Sequence, residues 1–145
     1  MHATVRSVIE AAGAGPQDVC ILDTEASPEH LSRGTALYAD AMLVVVEPYY
    51  KSLETGRRMA ALGADLGLKR VALVANKIKD ERDSAAVHQF AAKNELEIAA
   101  EIPFDETMVT AERAGVAPLD HDPDAPVVKA VAQLASSFVA SGSPA

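Results

Sequence analysis

Met42-Leu43-Val44-Val45-Val46-Glu47-Pro48 is the stretch on which the fold turns. Five apolar residues run without a break and stop at an acid followed by proline. Such a run predicts a strand of a parallel sheet covered on both faces. Two further runs frame it. Upstream, Val19-Cys20-Ile21-Leu22 ends at Asp23, and downstream Arg70-Val71-Ala72-Leu73-Val74-Ala75 ends at Asn76. Each is a short apolar run closed by a polar residue, the pattern of a buried strand that presents a functional group at its carboxyl end. A fourth, weaker strand is predicted over Glu97 to Ile102. There Ile98, Ala100 and Ile102 alternate with polar or small residues, which suggests an outer position.

Between the strands the apolar spacing changes to that of helices. His2 to Ala12 places Val5, Val8, Ile9 and Ala12 on one face, and Gly13, Gly15 and Pro16 end it. A second helix covers roughly Pro28 to Ala39, with Ser27 as its N-cap and Pro28 at the first helical position. Ser52 is the expected cap of a helix reaching Leu66, with Met59, Leu62 and Leu66 inward and Gly67 as its stop. Lys77 to Asp83 reads as a charged loop, and Asp83 or Ser84 as the cap of a helix closed by Asn94. In that helix Val87, Phe90 and Ala91 share a face. A short helix runs from Glu106 to Gly115, and Leu119 to Pro126 reads as a loop. A last helix from Pro126 buries Val127, Val131, Leu134 and Phe138. Strands alternating with helices predict an α/β fold in three layers, a mainly parallel sheet with helices on both faces. One domain over residues 1–140 is expected, with 141–145 as a disordered tail.

Composition narrows the function. The net charge of −8 opposes nucleic-acid binding, which needs a surplus of Lys and Arg. No apolar run approaches the ~20 residues of a membrane span. The single cysteine, Cys20, permits no intramolecular disulfide; it reads as an inert core residue of a cytoplasmic protein. His2, His30, His88 and His121 are scattered, so no preformed nickel or zinc site is expected. Arg33, which closely follows the Asp23 loop, reads as a surface arginine.

Three strand ends carry polar groups: Asp23-Thr24, Glu47 and Asn76-Lys77. In a parallel sheet all three fall along one edge, where ligands bind. A carboxylate at Asp23 can hold Mg²⁺ through water. An Asn-Lys pair can read a purine edge, the amide by hydrogen bonds and the lysine stem by stacking. No Gly-rich loop ending in Gly-Lys-Ser/Thr occurs. Ala12-Gly13-Ala14-Gly15-Pro16 has glycines without lysine or hydroxyl and follows a predicted helix, so it cannot cradle phosphates in that manner.

Taken together, these segments resemble CooC-type ATPases, the nickel-insertion accessory proteins of carbon monoxide dehydrogenase, within the MinD/ParA/ArsA group of deviant P-loop ATPases. Asp23-Thr24-Glu25-Ala26-Ser27, followed by Glu29-His30-Leu31-Ser32-Arg33-Gly34-Thr35, is similar to their switch II region. Val44-Val45-Val46-Glu47-Pro48 with Ser52-Leu53-Glu54-Thr55-Gly56 is similar to their next strand and helix. Asn76-Lys77 resembles their base-recognition motif, and Ile102-Pro103-Phe104-Asp105 the loop that closes over the base. The resemblance runs from about His2 to Val116 and corresponds to the second half of such an ATPase. One departure is Ser27, where the switch usually has Gly; a serine lacks free access to positive φ.

The resemblance implies a partial P-loop NTPase, or Rossmann-like, fold from which the P-loop half is missing. It implies a site for ATP or ADP in which Asn76, Lys77, Pro103, Phe104 and Asp105 meet the base, Thr24 to Ser27 form the switch, and Asp23 meets Mg²⁺ through water. Binding and hydrolysis by this chain alone are expected to be weak or absent. It further implies a homodimer or a partner chain carrying the P-loop, and a client metalloenzyme of the carbon monoxide dehydrogenase type. In such ATPases the P-loop strand lies between the strands ending here at Asp23 and Glu47. Those two strands must therefore pair directly or leave ladder edges bare. A second reading is a degenerate ATPase acting as a non-catalytic interaction or regulatory module that pairs with a complete homologue. A third, a phosphorylated receiver domain, requires an acidic pair on an earlier strand, and no strand is predicted before Asp23.

Overall fold

A computed structural model describes residues 19–24 and 39–141. The helix expected over His2–Ala12 and that over Pro28–Ala39 up to residue 38, with Glu25, Ala26, Ser27, His30 and Arg33, lie outside the described residues. Within them the order is β1 (Ala41–Val46), α1 (Tyr50–Asp65), β2 (Arg70–Ile78), α2 (Glu81–Lys93), β3 (Glu97–Pro103), α3 (Glu106–Ala114), α4 (Pro118–His121) and α5 (Pro126–Ser141). The strands form one parallel sheet in the order β1-β2-β3, with Val44 opposite Leu73 and Leu73 opposite Ile98. The α/β expectation holds, and β3 occupies the outer position its weak alternation suggests.

Alternation along the strands assigns the two faces. Val46, Leu73 and Ala75 pack with Leu53 of α1 and with Val87 and Ala91 of α2. Val74 and Ile102 point the other way and pack with Ala125 and with Val127 of α5. Helices thus cover both faces, as expected, but not evenly. On the side opposite α1, Leu43 is 39% and Val45 61% exposed. The reading of Met42–Glu47 as a strand covered on both faces is therefore corrected: α5 shields β2 and β3 but does not reach β1.

The strand predicted over Val19–Asp23 is also corrected. Residues 19–24 run without regular secondary structure, with Val19 72% and Ile21 87% exposed, and Cys20 lies at the surface rather than in the core. A parallel strand forms only against a neighbour that completes its ladder. Among the described residues β1 pairs with β2 alone, and none of them pairs with its other edge.

Helix boundaries follow local hydrogen bonding. α1 starts at Tyr50, two residues before the expected cap. Ser52 Oγ turns back to accept the Glu47 amide (2.9 Å) and so fastens the strand end to the first helical turn. Gly67 ends this helix at φ 79°, and Gly115 ends α3 at φ 67°, both in the left-handed region that glycine enters without strain. The cap of α2 is Asp80, not Asp83 or Ser84. Asp80 Oδ1 accepts the Arg82 and Asp83 amides, while Asp83 reaches back to the Lys79 amide, a reciprocal capping arrangement. The loop expected over Leu119–Pro126 overlaps the single turn α4. In α5 the inward stripe passes through Val127, Ala130 and Leu134, leaving Val131 half exposed; Ser141 is its last residue rather than part of a tail.

Candidate functional site: a cleft at the carboxyl edge of the sheet

A cleft of about 510 Å³ opens beyond the carboxyl ends of β2 and β3. Asn76 and Lys77 come from the end of β2, Pro103 from the end of β3, and Phe104 and Asp105 from the turn that follows. Met108 and Val109 of α3, Val116, Pro118 and Val127 complete the mostly apolar wall. The five residues read from the sequence as base contacts thus line one cleft. Asp23 and Thr24 are exposed and do not line it.

The Asn76-Lys77 corner is built by a break in the ladder. Ala75 is opposite Glu101, but the next paired residues are Ile78 and Pro103, so β2 carries one residue more than β3 across this interval. Lys77 takes up the excess at φ 58°, a left-handed conformation uncommon for a side-chain-bearing residue. Its amide donates to Asn76 Oδ1 (2.9 Å), and this contact holds the corner closed. The Asn76 Nδ2 group makes no bond of its own among the described residues. Lys77 Nζ meets Glu47 Oε1 at 2.8 Å, an ion pair between the ends of β1 and β2. That bond to Glu47 raises the lysine pKa above its ordinary value.

Asp105 has a different part. Its Oδ1 accepts the Thr107 amide (2.9 Å) as the cap of α3, and its Oδ2 accepts the Val127 amide at the start of α5 (3.4 Å). The Thr107 amide is the main reason its carboxyl titrates below the usual carboxylate range. Both oxygens are engaged by backbone, so Asp105 fixes the wall of the cleft, and each oxygen keeps a lone pair for a further donor. Phe104 is partly exposed at the rim, with Lys79 Nζ 5.2 Å from its ring centroid. An aromatic face beside amide donors suits a planar heterocycle. The described residues offer little to a triphosphate: no cluster of backbone amides sits on a Gly-rich turn, and the acidic groups of the cleft are Glu112 and Asp105, the latter already bonded to backbone amides. Among the described residues, no group of three or more His, Cys, Asp or Glu is arranged to hold a metal ion, and no helix is long and apolar enough to cross a membrane.

Sequence reading missed the Glu47–Lys77 pair, although both residues stood at strand ends on one edge. It also missed Val116, Pro118 and Val127, whose part in the cleft depends on where α3 and α5 pack.

No family model matches the chain. The carbon monoxide dehydrogenase accessory protein CooC of Rhodospirillum rubrum is 31% identical over 122 residues, 84% of this chain and 46% of that protein. An uncharacterized ATP-binding protein of Methanocaldococcus jannaschii is 38% identical over 98 residues, 68% of this chain and 38% of that protein. The septum site-determining protein MinD of Pyrococcus horikoshii, solved with Mg-ADP, superposes with a TM-score of 0.67 at 18% identity, covering 93% of this chain and 55% of that one. The chain spans about half the length of the relatives it matches, or less. Over that length it is partially homologous to CooC and to ATP-binding proteins of its kind, and its fold is that of MinD.

Proposed function

We propose that this chain supplies the base-binding side of an adenine-nucleotide site in a CooC-like ATPase of metallocentre maturation. The observation that carries the reading is the convergence of Asn76, Lys77, Pro103 and Phe104 on one cleft beyond the sheet's carboxyl edge. Asn76 donates its amide to an acceptor on the base edge. The Lys77 stem and the Phe104 ring cover the base faces, and Asp105 holds the loop that carries Phe104. The Mg²⁺-triphosphate moiety finds no fitting residues in the cleft, and Asp23 stands apart from it. The switch over Thr24–Ser27 and the nickel client remain part of the reading through the likeness to CooC alone.

Two or three hydrogen bonds at a partly open cleft contribute ~0.5–1.5 kcal/mol each. Association costs several kcal/mol of lost freedom. The balance corresponds to affinity no better than about millimolar, since 1 mM equals ~4 kcal/mol. Adenosine, ADP and ATP should bind about equally, and hydrolysis by these 145 residues should be undetectable, because no lysine or amide cradle meets the transferring phosphoryl group. Calorimetry with the three ligands, beside a phosphate-release assay, tests this. Micromolar binding that requires the γ-phosphate and Mg²⁺ would overturn it.

The edge of β1 that no described residue pairs, with the exposed Val45 and Leu43, favours a second element of the reading, association with another chain, either a second copy or one carrying a P-loop.

A further inference from the structure

Glu47 is a charged residue at a strand end that the base site as described does not use. It stands at the end of β1, outside the cleft lining, yet its Oε1 is 2.8 Å from Lys77 Nζ. Its own backbone is fixed from two sides. The Glu47 amide donates to Ser52 Oγ (2.9 Å), and its carbonyl accepts the Tyr49 amide (2.8 Å). Glu47 is therefore tied to the first turn of α1. Lys77, in contrast, sits on a one-residue bulge in a left-handed conformation, with its amide closed onto Asn76 Oδ1. The backbone fixes where the lysine starts, and Glu47 fixes where its ammonium ends.

We propose that Glu47 is a positioning residue for base binding, holding the Lys77 side chain extended along the mouth of the cleft so that its stem forms a ready-made wall. The inference rests on the cleft being a base site. A free lysine side chain samples many rotamers, and a ligand that uses it as a wall must first restrict them. An ion pair that restricts them beforehand lowers that cost, which is how preorganisation raises affinity without touching the ligand. Glu47 needs no contact with the nucleotide to act. Ser52 and the α1 turn become part of the same device, because they set the position of the carboxylate.

The test is a double-mutant cycle on the 145-residue chain: wild type, Glu47→Gln, Lys77→Met and the double variant. AMP is the probe, titrated against the amide resonances of Asn76 and Phe104 by NMR. Glu47→Gln should weaken AMP about threefold, the size expected for one partly exposed ion pair. Lys77→Met should weaken it at least as much, and adding Glu47→Gln to Lys77→Met should change nothing further. Independently of nucleotide, the Lys77 pKa, read from ¹³C-methylated lysines, should fall in Glu47→Gln. Glu47→Asp, which keeps the charge on a shorter arm, should recover part of the lost affinity. An unchanged affinity in Glu47→Gln, or an equal loss with and without Lys77, would overturn the role given to Glu47 while leaving the base site standing. Absence of any AMP-dependent shift at Asn76 and Phe104 in the wild type would overturn the base site and this role with it.

Discussion

Replacing Gly56 by alanine tests how closely α1 sits on the sheet. A Cβ added at Gly56 would lie 2.4 Å from Val46 Cγ1, with Leu73 Cδ2 and Val44 Cγ1 each at 3.7 Å. Carbon atoms pack best at about 3.5–4.0 Å, so the new methyl falls about 1 Å inside contact. Val46 is almost wholly buried, and its branched side chain has little rotamer freedom with which to yield. Overpacking of this kind costs ~1–3 kcal/mol, and the gain in helix propensity offsets ~1 kcal/mol. The net effect is a loss of about 1 kcal/mol, or roughly 2–4 °C in the thermal midpoint of a chain of this size. Gly63 provides the control. There the nearest atom is Met42 Cε at 2.6 Å, the free end of a flexible side chain, with Val71 Cγ2 at 3.1 Å. Methionine can move aside, so Gly63→Ala should stay within about 0.5 kcal/mol of wild type. Thermal and urea unfolding followed by circular dichroism measures both. Adding Val46→Ala to Gly56→Ala should produce a favourable coupling, because the clashing methyl is then gone. Equal stability of Gly56→Ala and Gly63→Ala, or no coupling to Val46, would refute the packing argument.

Asp80→Ala should cost ~1 kcal/mol of stability in urea denaturation, since it removes the acceptor for the Arg82 and Asp83 amides at the start of α2. Glu54 is held at a pKa of about 2, chiefly by its bond to Arg57. Its folded pKa is below the ordinary 4.5, so the stabilisation is fully present above pH 4.5 and is lost as the pH falls through about 2. Glu54→Gln should therefore flatten the acid limb of the stability profile in that window, and added salt should shrink the difference. Val45→Lys, on the uncovered face of β1, should leave unfolding within about 0.5 kcal/mol of wild type and reduce concentration-dependent association in sedimentation velocity.

The three strands of the sheet were legible because β1 and β2 are apolar runs bounded by turn residues and β3 alternates with a period of two. Gly67 and Gly115 marked helix ends for the same reason, since the left-handed conformation at each is one glycine adopts without strain. Residues 19–22 show the limit of that logic. Four apolar residues before an acid satisfy the local pattern of a strand, yet a strand exists only with a partner, and the sequence of one segment does not state its neighbour. Val45 illustrates the same limit on β1: it looks like core and is exposed, because none of the described helices crosses behind it. The confusions of Asp83 with Asp80, and of Val131 with Ala130, are different in kind. They arise where two acids three residues apart compete for one cap, or where a rotation of the helix by a single residue exchanges two apolar neighbours. In the cleft, the residue types at 76, 77 and 103–105 could be read, but the engagement of both Asp105 oxygens by backbone amides could not. That depends on α5 starting beside α3.

The most direct measurement is amide chemical-shift mapping of the chain titrated with adenosine, which carries the base and no phosphate. Base binding in the cleft predicts shifts concentrated at Asn76, Lys77, Phe104, Val116 and Val127, saturating at about millimolar ligand. Shifts absent from these residues, or centred instead on Asp23 and Thr24, would contradict the account.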